Sequence, residues 1–384
     1  MRIAIDALGS ISKDTGGKNY LINFVKYIQE IKNDNEYFLF LSNESENIFD
    51  IYKPYVKIIY LKKGNLNAYF KVFFEQLILP FYLIKYKIDA VYFPGNYASI
   101  FSTKPILLFI QSVLDFYKSE DISFLKKIYR QIFLRLSVKK AKKIITPSGF
   151  AKEIIIKNLK IPKLKIDVVY HGIDNNLFNN KIDEEILNKG KKLLNKNGIN
   201  SKYILYVAAL WDHKNHEKLI LAFERLLKLK NTELKLVLVG SGLGTNKLFL
   251  KYIYNLPKKL GLSDNVIFID NLDLKDLSVF YKLAYMFVFP SLCESFGLPV
   301  IEAMACGLPI ICSDAFALPE ILSDAGILVN AKNTDEILNA MLLIIENETK
   351  RKEFIEKAVK RAEIFKWENS ILKTLKILNN LKNK

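Results

Sequence analysis

Short apolar runs alternate along this chain with longer stretches whose apolar positions recur every three or four residues. Arg2–Asp6, Tyr37–Leu41, Val56–Leu61, Ala90–Phe93, Ile106–Ile110 and Lys143–Thr146 read as buried strands, rich in β-branched and aromatic residues. Between them, Asn19–Ile31, Ala68–Tyr86 and Phe124–Lys140 carry the helical period. Strands apolar on both faces and separated by helices predict a parallel sheet wrapped by helices. The alternation pauses around Val168–Asn180 and a lysine-rich helix, Glu184–Asn197. It restarts at Tyr203–Ala208 and continues through Leu234–Val239, Val266–Ile269, Met286–Phe289, Pro309–Cys312 and Gly326–Val329. Two such series predict an α/β chain of two Rossmann-like, doubly wound domains facing each other across a cleft. The expected boundaries are 1–178 and 179–366. The tail 367–384 holds a further amphipathic run, Trp367–Leu381, expected to pack back toward the first domain.

A length of 384 residues, half of them hydrophobic, suits two cores rather than one. The net charge of +17 raises the question of a polyanionic partner. Only six of the 57 basic residues are arginine, the side chain nucleic-acid surfaces use for bidentate and stacking contacts, so no nucleic-acid partner is expected. An anionic membrane surface or a phosphorylated substrate fits the charge better. Cys293, Cys306 and Cys312 form no metal-binding or disulfide spacing, and three histidines are too few for a His-based metal site. The most apolar stretch, Phe73–Tyr86, is broken by Glu75, Gln76 and Pro80 and is too short to span a bilayer. The expectation is a cytoplasmic protein, soluble or peripheral at the inner face of the plasma membrane. In Arg130–Lys143 cations alternate with apolar residues, as a membrane-facing surface would require.

The most informative segment is Phe289–Glu320, FPSLCESFGLPVIEAMACGLPIICSDAFALPE. It reads as a strand, a loop, and a helix that Pro299 opens and Gly307 closes. The loop brings the backbone N–H groups of Ser295, Phe296, Gly297 and Leu298 to a helix start, where they can hold an anion such as a diphosphate. Glu294 and Glu302 flank that position. A carboxylate aimed at phosphate would repel it, whereas one aimed at vicinal hydroxyls accepts two charge-assisted hydrogen bonds. A ligand with phosphates in its middle and polyols at both ends satisfies all of these groups, and a nucleotide sugar is such a ligand.

Glu294 and Glu302, seven residues between them, with FGLP inside and EAMACGLPI around the second, resemble the signature of the retaining family 4 glycosyltransferases of the GT-B fold. The resemblance implies that Glu294 contacts donor-sugar hydroxyls, Glu302 the ribose hydroxyls, and the intervening amides the diphosphate. Tyr203–Phe223 resembles the family's strand and cationic loop, which makes Lys214 the residue that binds donor phosphates and stabilises the departing nucleoside diphosphate. Glu294 and Lys214 are thus the catalytic candidates. Where the family often has Gly-Arg, this chain has Ala208-Ala209, and His213 is a candidate stand-in. Gly240, Ser241 and Gly242 after one strand, and Gly16 and Gly17 after the first, are further donor-binding candidates. Gln111 stands where many relatives carry a histidine; it can orient a hydroxyl but cannot take its proton. Asp115 and His171 complete the candidate acceptor or cleft residues, and Glu320 resembles a family position at the site's edge.

The resemblance implies a metal-independent hexosyltransferase with no cofactor beyond its nucleotide-sugar donor, GDP-mannose or a UDP-sugar. Its acceptor would be a saccharide or lipid-linked saccharide in surface polysaccharide or lipopolysaccharide assembly. A nucleotide-sugar epimerase or another enzyme of the same fold is the alternative, and a basic nucleic-acid-binding or scaffold protein the rival of another class. Loss of sugar transfer on replacing Glu294 or Glu302 separates the enzyme from the scaffold.

Overall fold

The computed structural model describes residues 1–8, 16–41, 49, 52, 55–61, 72–117, 124–230 and 232–381. Thr15, before the first glycine pair, and residues 68–71 of the second expected helix lie outside them. The chain divides into two compact units, Met1–Gly172 with Trp367–Lys384, and Ile173–Lys366.

In the first unit the strands are β1 (Arg2–Asp6), β2 (Glu36–Leu41), β3 (Val56–Tyr60), β4 (Ala90–Phe93), β5 (Ile106–Phe109), β6 (Lys143–Thr146) and β7 (Ile166–Val168). They form a parallel sheet in the order β3-β2-β1-β4-β5-β6-β7. Alternate residues bury on opposite faces: Ile3, Ile5, Tyr92 and Phe109 in one cluster, Ala4, Val91, Phe93 and Leu108 in the other. This two-sided burial is why the strands read as unbroken apolar runs. β7 escaped the sequence pattern because it is three residues long and contains Asp167.

The helix Trp367–Asn379 buries Trp367, Ile371, Leu375 and Leu378 in the same cluster as Tyr20 and Phe24 of the helix Gly16–Ile28. Each such burial contributes about 1.5–3 kcal/mol. Gly172 has to be glycine, since a Cβ there would sit 2.5 Å from the Trp367 backbone.

The second unit repeats the plan with β8 (Tyr203–Val207), β9 (Lys235–Val239), β10 (Val266–Ile269), β11 (Met286–Phe289), β12 (Ile310–Ser313) and β13 (Ile327–Val329). Their parallel order is β10-β9-β8-β11-β12-β13. From β8 the chain first builds outward to one side, then returns to build from β11 on the other. The connections leaving the carboxyl ends of β8 and β11 therefore diverge and open a crevice, the usual place for a ligand in such sheets.

Candidate donor site

Two loops leave the sheet at that switch point. After β8 the chain passes through a single 3-10 turn, Asp212–Lys214, and Asn215, then enters the helix His216–Leu229. After β11 it runs through Glu294 to the helix Leu298–Ala305. The loops are stitched together by their backbones and by Asn215. The Leu292 N–H donates to the His213 carbonyl at 2.8 Å, and Asn215 Nδ2 donates to the carbonyls of Pro290 at 3.0 Å and Ala331 at 2.7 Å. The Tyr206 hydroxyl donates to the Lys214 carbonyl.

This stitching places Lys214 Nζ in an ion pair with Glu294 Oε1, the two side chains only 15% and 13% exposed. So enclosed a charge becomes costly when its partner is removed, by several kcal/mol. Burial, and next the negative charge of Glu294, hold the Tyr206 hydroxyl protonated far above its ordinary range. His213, the candidate stand-in for the missing arginine, lies in this turn. Burial first, then the charge of Lys214, lower its pKa, so the imidazole is neutral at pH 7.

The helix Leu298–Ala305 begins without a side-chain cap and without an acidic residue in its first turn. Its N-cap, Gly297, has φ +105°, and a Cβ there would lie 2.7 Å from Leu318 Cδ2. The positive end of the helix is thereby left open to an anion. Ser295 is partly exposed, whereas the Phe296 ring is buried edge-on against Phe365.

Glu302, one turn in, is half-buried and accepts a hydrogen bond from the fully buried Tyr281 hydroxyl at 2.9 Å. Burial pushes its carboxyl up to about 7 against the pull of that hydrogen bond. Gly240, Ser241 and Gly242 lie after β9. A Cβ on Gly240 would sit 2.0 Å from the Ala208 carbonyl oxygen, and the Leu210 N–H donates to Ser241 O at 3.0 Å. The glycine is needed for two loops to touch. Glu320 sits in the short helix Leu318–Leu322, its carbonyl accepting from Arg361 at 2.7 Å.

The remaining candidates belong to the first unit. Gly16 and Gly17 open the helix after β1. The Gln111 carboxamide donates to the Pro94 carbonyl at 2.6 Å. Asp115 falls in the 3-10 turn Leu114–Phe116, its side chain outside the described residues. His171 is buried edge-on to Tyr20 at 5.2 Å and beside Phe109 at 5.4 Å. Burial lowers its pKa to about 3, so it is a neutral core imidazole. Sequence reasoning missed Tyr281, Tyr206 and Asn215. Of these only Asn215 left a signal, an Asn just ahead of a helical run, which reads as an N-cap.

Comparison with known proteins matches residues 15–177 to the model described as Glycosyltransferase Family 4 and residues 190–361 to the one described as Glycosyl transferases group 1. The chain is similar to the O-antigen chain mannosyltransferase RfbU of Salmonella typhimurium, 30% identical over 48% of this chain and 45% of that protein. It also resembles the N-acetylgalactosamine-N,N'-diacetylbacillosaminyl-diphospho-undecaprenol 4-alpha-N-acetylgalactosaminyltransferase of Campylobacter jejuni, 27% identical over 62% of this chain and 60% of that one. The chain thus spans about half the length of these curated relatives. Among solved structures, Anabaena HepE in complex with UDP-glucose shares the fold, with TM-score 0.78 and 18% identity over 99% of this chain and 100% of that one.

Proposed function

The chain belongs to the group 1 glycosyltransferases, with a first half of the family 4 type and the GT-B fold, and from that premise we propose that it transfers a hexosyl group from a nucleotide sugar to a saccharide or lipid-linked saccharide. The observation that carries this reading is the Lys214–Glu294 ion pair beside an open helix start. In the proposal, Lys214 and the N–H groups of Ser295–Leu298 hold the diphosphate, while Glu302 takes the ribose hydroxyls. Glu294 takes the hydroxyls of the sugar. As the bond from sugar C1 to phosphate oxygen breaks, negative charge grows on the diphosphate and the ammonium meets it. The acceptor hydroxyl forms its bond to C1 on the face the diphosphate leaves, which retains configuration, and its proton passes to the departing phosphate oxygen. No protein base is required, in keeping with a Gln111 whose carboxamide cannot take a proton. Neither a cofactor nor a metal ion is needed, because Lys214 and the helix start carry the neutralisation.

Similarity to a mannosyltransferase favours GDP-mannose as donor, with a UDP-sugar as the alternative, and similarity to an enzyme named for a diphospho-undecaprenol substrate favours a lipid-linked acceptor in surface polysaccharide assembly. The first unit offers a surface suited to such an acceptor. Phe73, Leu77, Phe81 and Ile84 form an exposed apolar stripe, and Ile128, Ile132 and Leu136 form another on the helix Phe124–Lys140. Gln76 and Ser137, one from each segment, both hydrogen-bond Ala98, so the stripes flank one loop. Arg135, Lys139 and Lys140 are exposed on the second helix, which contains no acidic residue. Apolar stripes among cations suit peripheral attachment to the anionic inner face of the plasma membrane. No helix among the described residues is long and apolar enough to cross a bilayer.

The test is a melting-temperature screen in EDTA with GDP, UDP, GDP-mannose and UDP-glucose. At a hundredfold excess over Kd one base series should stabilise the protein by about 2.7 kcal/mol, a rise of roughly 5–10 °C. Lys214→Ala and Glu302→Gln should remove that rise. A midpoint indifferent to all four ligands would refute the reading.

A further inference from the structure

We propose that Asn215 is a positioning residue, a latch that sets where the Lys214 ammonium meets the donor diphosphate; this rests on the donor-site reading above. Asn215 occupies the N-cap position of the helix His216–Leu229, where an asparagine ordinarily accepts a bond from the helix's first N–H groups. Here its side chain makes no cap bond. It is buried, 8% exposed, and its Nδ2 instead donates to Pro290 O at 3.0 Å and Ala331 O at 2.7 Å. Those carbonyls lie just beyond β11 and β13, so one amide group ties the β8 loop to two other strand ends of the same sheet.

The backbone geometry disfavours most substitutes. Asn215 has φ +61°, in the left-handed region that asparagine and glycine tolerate and other side chains resist. Glycine would satisfy that angle without supplying the two hydrogen bonds. Asparagine is therefore explained by its side chain as well as its backbone.

The consequence falls on Lys214. A lysine stem is flexible, and an ammonium held in one place gives up much rotamer freedom. In this loop the stem's root is fixed on both sides. The Lys214 carbonyl accepts from Tyr206, the His213 carbonyl accepts from Leu292, and Asn215 anchors the following residue. With its root held, Lys214 Nζ lies 5.7 Å over the Phe289 ring and reaches Glu294. Loss of the latch leaves the ammonium present but misplaced, and a misplaced charge binds and stabilises less than a preorganised one.

The experiment is calorimetric binding of UDP and GDP, with uridine and guanosine beside them as ligands lacking the diphosphate. Asn215→Gly keeps the backbone angle and should weaken the preferred nucleoside diphosphate about tenfold, leaving its nucleoside within about twofold. Asn215→Ala adds backbone strain and should melt lower than Asn215→Gly, yet lose the same diphosphate affinity. In a Lys214→Ala background, Asn215→Gly should change nothing further, because the latch acts through that lysine. A loss shared equally by nucleoside and diphosphate would overturn the proposal, as would an undiminished effect without Lys214. If Lys214→Ala weakens the diphosphate and Asn215→Gly does not, the latch is wrong and the donor site stands. If neither UDP nor GDP binds the unaltered protein, the donor site itself is wrong and the latch goes with it.

Discussion

Replacing Tyr281 by Phe should raise the pH below which the protein releases a nucleotide sugar. Burial lifts the Glu302 carboxyl to about 7, and the Tyr281 hydroxyl, donating at 2.9 Å, restrains that rise by favouring the ionised form. A carboxyl raised in the folded state contributes stability that is present below its unfolded pKa and is lost as pH climbs through the folded one. For Glu302, moving from 4.5 to about 7, that contribution is about 3 kcal/mol, lost between those limits. In the proposed donor complex ribose hydroxyls donate to the ionised carboxylate, so binding would select the form that burial disfavours. Affinity should be full above about pH 7 and fall by about tenfold per unit below it.

A hydrogen bond to a charged group is worth about 1.5–3 kcal/mol, so Tyr281→Phe should move the Glu302 pKa up by roughly 1–2 units. The assay is calorimetric affinity for GDP-mannose and UDP-glucose from about pH 5.5 to 9; their phosphodiester groups do not titrate in that range. Glu302→Gln should bind weakly with no dependence on pH. This control also separates Glu302 from Asp6, which burial likewise lifts to about 7 in the first unit. A Tyr281→Phe profile that coincides with that of the unaltered protein would refute the role given to this hydrogen bond. An unaltered profile that is flat while Glu302→Gln loses affinity would refute the titration.

Two further predictions address the helix start and the first unit. Gly297→Ala should destabilise the second unit by about 1–3 kcal/mol, through a φ of +105° and a 2.7 Å clash with Leu318, and weaken diphosphate binding; a melting curve and a UDP titration unchanged from those of the unaltered protein would count against both. Vesicles of phosphatidylglycerol and phosphatidylethanolamine should float with the unaltered protein, less so at high salt, and much less with the double variant Leu77→Glu, Phe81→Glu. Absence of flotation at low salt, or a double variant that floats equally, would remove the membrane from the proposal.

The strands were legible because a sheet buried on both faces writes itself as unbroken apolar runs. Ala90–Phe93, Lys143–Thr146, Val266–Ile269 and Met286–Phe289 have the same bounds in sequence and structure. β7 was not legible, since three residues around Asp167 carry no period. Glu294, Gly297 and Glu302 stood out as candidates in the sequence because a strand, a loop, a helix start and two acids occur within one continuous segment. Which groups they pair with was hidden for a physical reason. Lys214 meets Glu294 across 80 positions of chain, Tyr281 meets Glu302 across 21, and Asn215 reaches Ala331 across 116. Such pairings exist because the parallel strands bring together loops, and the helices Leu274–Leu283 and Leu298–Ala305, that stand far apart in sequence. A motif can therefore name candidate ligand-facing groups, whereas the groups proposed to set their charge and position, Tyr281 for Glu302 and Asn215 for Lys214, become visible only in three dimensions. It follows that variation at those partners should retune affinity and pH response while the recognisable motif stays intact.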